Sequence, residues 1–153
     1  MTPKRKRRYF QSVSLKLYTP EKRITALIYA TGKVVLIGAD KELQLLDAMN
    51  QICSITRVCA RDSVYVSNYV FTMEMTPTNL PSLFNQFKKL SDKRIASIDL
   101  TPELFPALIL ELSLGHKVTI FRTGKVIITG CRRREEGSKA FRTLDEMLSL
   151  FNE

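Results

Sequence analysis

Residues 10–18 alternate, with Phe10, Ser12 and Ser14 on one side and Gln11, Val13 and Leu15 on the other, and predict a strand over Phe10–Tyr18. Pro20 breaks it in a turn at residues 18–22. Ile24–Tyr29 predicts a second strand. Ala30-Thr-Gly32 is a tight hairpin, and Lys33–Ile37 returns as a third strand. A helix then starts after Gly38, with Asp40 as its expected N-cap and Leu43, Leu46, Met49 and Ile52 as its apolar face.

The second half repeats this order. Leu104–Leu112 predicts a strand, Ser113–His116 a turn, and Val118–Phe121 and Lys125–Thr129 a hairpin closed at Arg122-Thr-Gly124. A helix follows with Phe141, Leu144, Leu148 and Phe151 on one stripe. Two further elements precede this unit: a β-rich run over Val64–Met75, and a helix capped by Thr78 with Leu80, Leu83, Phe84, Phe87 and Leu90 inward. The first half has no room for their counterparts before Phe10, so the duplication is unequal.

The duplication itself is explicit. Residues 31–38 read Thr-Gly-Lys-Val-Val-Leu-Ile-Gly, and residues 123–130 read Thr-Gly-Lys-Val-Ile-Ile-Thr-Gly. Two copies this far apart mark a duplicated half-domain rather than a solenoid. Alternation puts Lys33, Val35 and Ile37 on one face, like Lys125, Ile127 and Thr129, and leaves Val34, Leu36, Val126 and Ile128 on the other. The helices suit the second, uniformly apolar face. The first face then lies open, as a binding surface does.

Composition narrows the partner. The chain has 153 residues, 44% hydrophobic, enough for a core, and a net charge of +9 from 24 Lys+Arg against 15 Asp+Glu. Such a field attracts polyanions. The run Lys4–Arg8 is a candidate phosphate-binding or nuclear-import patch, with no apolar signal core after it. No apolar stretch reaches membrane-spanning length, so no membrane partner is expected. Cys53, Cys59 and Cys131 form no CxxC pair and His116 is the only histidine, so neither a metal site nor any other cofactor is expected. Gly-Lys opens a strand here, not a phosphate loop. No Ser or Cys nucleophile is paired with a histidine, and the expectation is a non-enzymatic protein.

Thr101-Pro-Glu-Leu-Phe-Pro-Ala-Leu-Ile109, followed by Val118-Thr-Ile-Phe-Arg-Thr-Gly-Lys-Val-Ile-Ile-Thr-Gly130, resembles the second repeat of the TATA-box-binding protein family. Pro3-Lys-Arg, Phe10 and Thr25–Gly38 resemble its first repeat. The resemblance covers almost the whole chain. It implies an α+β fold of two pseudo-symmetric repeats: a saddle-shaped, curved antiparallel β-sheet with helices on the convex face and DNA in the concave one. It also implies two aromatic pairs that wedge between base steps and kink the duplex, Phe10 with Tyr29 and Phe105 with Phe121. Tyr29 departs from the family's Phe, which implies a shallower wedge there. Asn68 and Thr129 match the family's polar readout of the minor groove, and Val70, Ile127 and Val35 its apolar contacts. Ile37 stands where the first repeat should carry Thr. Lys33, Lys125 and Arg23 match phosphate-contacting positions. Glu103 and Leu104 match the contact with a factor IIB-like initiation factor, though Thr101 replaces an acidic residue there.

These matches imply a DNA-binding transcription initiation factor that bends A·T-rich promoter DNA through the minor groove. The alternative is an interaction protein of the same fold with little DNA readout, and a third reading is an accessory domain of a larger nucleic-acid enzyme. The expected organisation is a basic segment over residues 1–8, a first half-repeat over 9–60 lacking its first strand and helix, and a complete second repeat over 61–153. The missing strand implies a shortened chain, a sheet that closes differently, or a strand supplied by a partner or by self-association. The expected location is the nucleus, a viral site of transcription, or the cytoplasm of a prokaryote.

Overall fold

A computed structural model describes residues 12–57 and 64–151. The chain divides into two compact units, Met1–Ser63 and Val64–Glu153. The first holds β1 (Ser12–Tyr18), β2 (Arg23–Tyr29), β3 (Val34–Ile37) and α1 (Glu42–Thr56). The second holds β4 (Tyr69–Glu74), α2 (Leu80–Leu90), β5 (Ile95–Leu100), β6 (Ala107–Leu112), β7 (Lys117–Phe121), β8 (Lys125–Cys131) and α3 (Arg134–Ser149). Both sheets are antiparallel, in the orders β1-β2-β3 and β4-β8-β7-β6-β5.

One residue set buries each sheet. In the second unit Leu108, Leu110 and Leu112 on β6, Val118 and Ile120 on β7, and Val126 and Ile128 on β8 pack with Leu83 and Phe87 of α2 and Ala140, Leu144 and Met147 of α3. Both helices therefore cover the same face. In the first unit Leu17, Ile24 and Ala26 pack against Ala48 and Ile52 of α1. Burial at about 25 cal/mol per Å² of apolar surface drives both arrangements. In the second unit the expected division between covered and open faces is the observed one. In the first, Leu36 packs against the core as expected, but Val34 is 40% exposed and Val35 is half-buried, because among the described residues only α1 covers that sheet.

Several elements differ from their expected form. Strand β1 begins at Ser12, and Phe10 and Gln11 lie outside the described residues. Asp40 does not cap α1. It pairs with Lys22 at 2.7 Å, while the Gln44 side-chain oxygen accepts from the N–H groups of Asp40 and Lys41. The inward face of α1 is Gln44, Ala48 and Ile52, whereas Leu43 is 77% and Leu46 50% exposed. Polar ties set this rotation. The Gln44 amide donates to Glu21 and the Gln51 amide to the Tyr18 carbonyl. Ala48 also lets the helix approach the small sheet closely.

In the second unit residues 64–68 precede the strand rather than belong to it. Asn79, not Thr78, caps α2 by accepting from the Ser82 N–H at 2.9 Å, and Pro81 follows within the first turn. Strand β5 was not expected. A register shift between Ile95 and Ser97 spoils its alternation, which is the signal a strand gives. The expected strand over Leu104–Leu112 begins only at Ala107, because residues 102–104 turn around the Thr101 carbonyl. Gly137, Ala140, Leu144 and Met147 form the inward face of α3. Phe141 is turned outward, and Phe151 packs edge-on against Phe87 at 4.9 Å. Among the described residues the first unit has no counterpart of β4, α2 or β5.

Candidate nucleic-acid interface

In the second unit the face away from the helices is built from the alternate strand positions. Register aligns Thr72, Ile127, Thr119 and Ile109 in one row across β4, β8, β7 and β6. Ile127 and Thr129 are half-buried and Val70 is exposed, so this floor is mostly apolar with hydroxyls between. Thr72, Thr119 and Ile109 were missed as floor residues. Their alternation with inward residues is the signal that finds them: Thr119 between Val118 and Ile120, Ile109 between Leu108 and Leu110, and Thr72 between Phe71 and Met73.

A β-bulge sets one end of this floor. Tyr69 pairs with Cys131 but Phe71 pairs with Ile128, so Thr129 and Gly130 together face Val70. Gly130 has φ +85, and a Cβ there would meet the Gly115 carbonyl oxygen at 2.9 Å. Its N–H donates to the Asn68 side-chain oxygen at 2.9 Å. The bulge thus brings Asn68 beside Thr129 and uses the acceptor end of its amide. The amide NH₂ remains as the donor end, the polarity that minor-groove acceptors require.

The aromatic pair forms at the other end. Ala107 on β6 pairs with Phe121 at the end of β7. The Phe105 N–H donates to the Thr101 carbonyl and the Ala107 N–H to the Phe105 carbonyl, each at 2.9 Å. These bonds hold the Phe105 and Phe121 rings 5.9 Å apart at 65°, an edge-on contact. Phe105 remains 42% exposed, so this pair is not sealed in the core. Glu103 and Leu104 occupy the same turn, with Leu104 85% exposed.

The first unit reproduces part of this arrangement. Tyr29 pairs with Ser12 as Phe121 pairs with Ala107. Phe10, its expected partner, lies outside the described residues. Val35 is half-buried opposite Leu27, and Ile37 is exposed opposite Thr25. Lys33 is exposed in the hairpin, where its carbonyl accepts from the Tyr29 N–H at 2.9 Å. Lys125, its counterpart, opens β8 opposite Glu74 and is exposed. Arg23 is not with them. It begins β2 at the end opposite Tyr29, its guanidinium 6.0 Å from the Tyr18 ring.

Among the described residues no group of three or more His, Cys, Asp or Glu side chains is placed to hold a metal ion. Buried Cys131 lies 3.8 Å from His116 Nδ1, and burial pushes its thiol pKa up, away from the reactive thiolate. Among the described residues no helix is long and apolar enough to cross a membrane.

Comparison with known proteins agrees with this geometry. The family model described as Transcription factor TFIID (or TATA-binding protein, TBP) matches residues 4–58 and 63–151. TATA-box-binding protein 1 of Arabidopsis thaliana is 31% identical over 148 residues, covering 93% of this chain and 70% of that protein. TATA-box-binding protein 2 of Methanosarcina acetivorans is 30% identical over 129 residues, covering 80% of this chain and 67% of that one. The structure of Methanococcus jannaschii TBP superposes with a TM-score of 0.66 at 23% identity, over 91% of this chain and 82% of the other, and shares its α+β fold. The repeated hairpins, the two antiparallel sheets each covered by helix on one face, and these matches over both repeats together establish that the chain belongs to the TATA-binding protein family of transcription factors.

Proposed function

We propose that the chain is a non-enzymatic transcription initiation factor that binds A·T-rich promoter DNA in the minor groove and bends it. The observation that carries this is the Phe105–Phe121 pair at the end of an open sheet face whose central row, Thr72, Ile127, Thr119 and Ile109, is uncharged. Unstacking a base step costs a few kcal/mol, and an exposed flat ring beside the floor can replace the lost stacking. Tyr29, with Phe10, takes the same role at the first repeat.

The floor contacts are Val70, Ile127, Thr129 and Asn68 in the second repeat and Val35 and Ile37 in the first. Ile37 offers no hydroxyl where Thr129 does, so polar readout is one-sided. Lys33 and Lys125 contact phosphates beside the wedges, and Arg23 contacts one further along the duplex. Glu103 and Leu104 dock a factor IIB-like protein. The repeats span 9–60 and 61–153 after a basic segment 1–8, and the edge of β3, which no strand pairs among the described residues, is where a donated strand would add. The site of action is the nucleus, or wherever transcription occurs in the source.

Fluorescence titration of A·T-rich and random duplexes, read together with end-to-end energy transfer, tests this. Saturable binding with a bend that Phe105→Ala and Phe121→Ala abolish, while circular dichroism is unchanged, is the expected result. Absence of saturable binding at moderate salt would replace this reading with that of an interaction protein lacking DNA readout.

A further inference from the structure

The two open faces differ in charge. Strands β1, β2 and β3 carry Lys16 and Arg23 and no carboxylate. The strands of the second unit carry Lys117 and Lys125 against Glu74, Asp99 and Glu111. Register places all three carboxylates on the open face. Glu74 stands opposite Lys125, Asp99 opposite Ile109, and Glu111 opposite Lys117. A face that takes DNA is expected to exclude carboxylates, because each one repels the phosphate charge.

Glu111 is the most informative of the three. Ser12 pairs with Tyr29 as Ala107 pairs with Phe121, and Lys16 stands to Ser12 as Glu111 stands to Ala107. The duplication therefore puts opposite charges at one position. Lys16 donates to its cross-strand partner Thr25 at 2.7 Å. Glu111 instead accepts from Ser97 at 3.0 Å and meets the Lys117 ammonium at 3.5 Å. Its carboxylate is thereby held on the face, half-exposed, and it neutralises the cation beside it.

We infer that Glu111 determines how the phosphate grip is divided between the repeats: it silences Lys117, so that at this duplicated position only the first unit, through Lys16, adds a phosphate contact to those of Lys33 and Arg23, and the first unit supplies the larger share of the salt-dependent affinity for duplex DNA. This rests on the DNA-binding reading. The two repeats then contribute unequally to phosphate binding, which favours one orientation of the protein on the duplex.

The test is a titration of a labelled A·T-rich duplex against the full chain across roughly 50–200 mM salt. Glu111→Lys is expected to tighten binding about tenfold and to steepen the salt slope by about one contact, ~0.9 in log–log units. Glu111→Gln, which keeps an acceptor for Ser97, is expected to tighten it about threefold, and Lys16→Gln to flatten the slope by about the same ~0.9. Glu135→Lys, an equal charge change on an exposed residue of α3, is expected to do neither. If Glu135→Lys tightens binding as much as Glu111→Lys, the effect is one of net charge and the inference is overturned. Unchanged binding by both Glu111 variants also overturns it. If only Glu111→Lys binds and the native chain does not, the proposed function falls and the inference with it. If neither binds, both fall.

Discussion

The side-chain oxygen of Asn68 accepts the backbone N–H of Gly130 at 2.9 Å. Residues far apart in the chain are thus joined at the β8 bulge, and the bond orients the Asn68 amide at the end of the open floor. Asn68→Asp keeps the acceptor for Gly130 and removes the donor, adding a charge that repels DNA. It should melt within a few degrees of the native protein yet lose more than about tenfold in DNA affinity, since a lost hydrogen bond to a base is worth roughly 1–3 kcal/mol. Asn68→Ala should lose affinity and also about 1 kcal/mol of stability. Parallel melting and titration curves separate the two effects.

Tyr29→Phe should tighten DNA binding. The Tyr29 position pairs with Ser12 as Phe121 pairs with Ala107, and a phenol inserted between bases must place its hydroxyl without water. Freeing that group is worth about 1 kcal/mol, a gain of roughly fivefold in Kd. Equilibrium titration of the two proteins on one duplex measures it, with an increased bend angle expected alongside.

Gly32 and Gly124 close equivalent hairpins with φ of +84 and +91. They should respond differently to Ala. A Cβ at Gly32 meets nothing within 4 Å, whereas one at Gly124 would run into the Met75 carbonyl, whose own N–H donates to the Gly124 carbonyl at 2.8 Å. Gly32→Ala should cost about 1–2 kcal/mol from the left-handed backbone alone. Gly124→Ala should cost more, through backbone collision. Urea unfolding of both variants gives the comparison.

The rotation of α1 makes a paired prediction. Leu43→Ala, at an exposed site, should change stability by less than about 0.5 kcal/mol. Ile52→Ala, beneath the helix, should cost about 2–5 kcal/mol. Reversed magnitudes in chemical denaturation would mean that Leu43 and Leu46 face the sheet.

Several carboxylates link stability to acid, Glu136 and Asp92 among them. The Glu136 pKa is lowered chiefly because its carboxylate accepts the Arg132 N–H at 2.8 Å, at the start of α3. The Asp92 pKa is lowered by side-chain hydrogen bonds from Arg94, which also pairs with Glu146 at 2.6 Å. A carboxylate with a depressed folded-state pKa contributes fully above its unfolded value, about 4, and loses that contribution as pH falls through the folded value. The melting temperature should therefore be flat from neutrality to about pH 5 and fall below pH 4. In Glu136→Gln, which keeps an acceptor, the fall should be shallower.

Much of the fold is legible along the chain because it is local. Alternation is a property of the extended backbone, so the pattern of Val126, Ile127, Ile128 and Thr129 already separates a covered face from an open one. The two Thr-Gly-Lys hairpins announce the duplication, because only glycine readily takes the left-handed turn residue. The aromatic pair and the groove-contact residues come from the resemblance to the TATA-box-binding protein family, not from the repeats by themselves.

The rest depends on pairings between distant segments. Which face of α1 turns inward is decided by Gln44 and Gln51 finding partners on the first sheet, against a leucine stripe that points elsewhere. Strand β5 and the β8 bulge arise where register shifts, and a register is a relation between two strands, invisible in either one. The contact of Phe105 with Phe121, the tie from Asn68 to Gly130 and the charge reversal at Glu111 likewise exist only once the strands lie side by side. One-dimensional periodicity carries the faces of most strands, and cross-strand hydrogen bonding decides what those faces bring together.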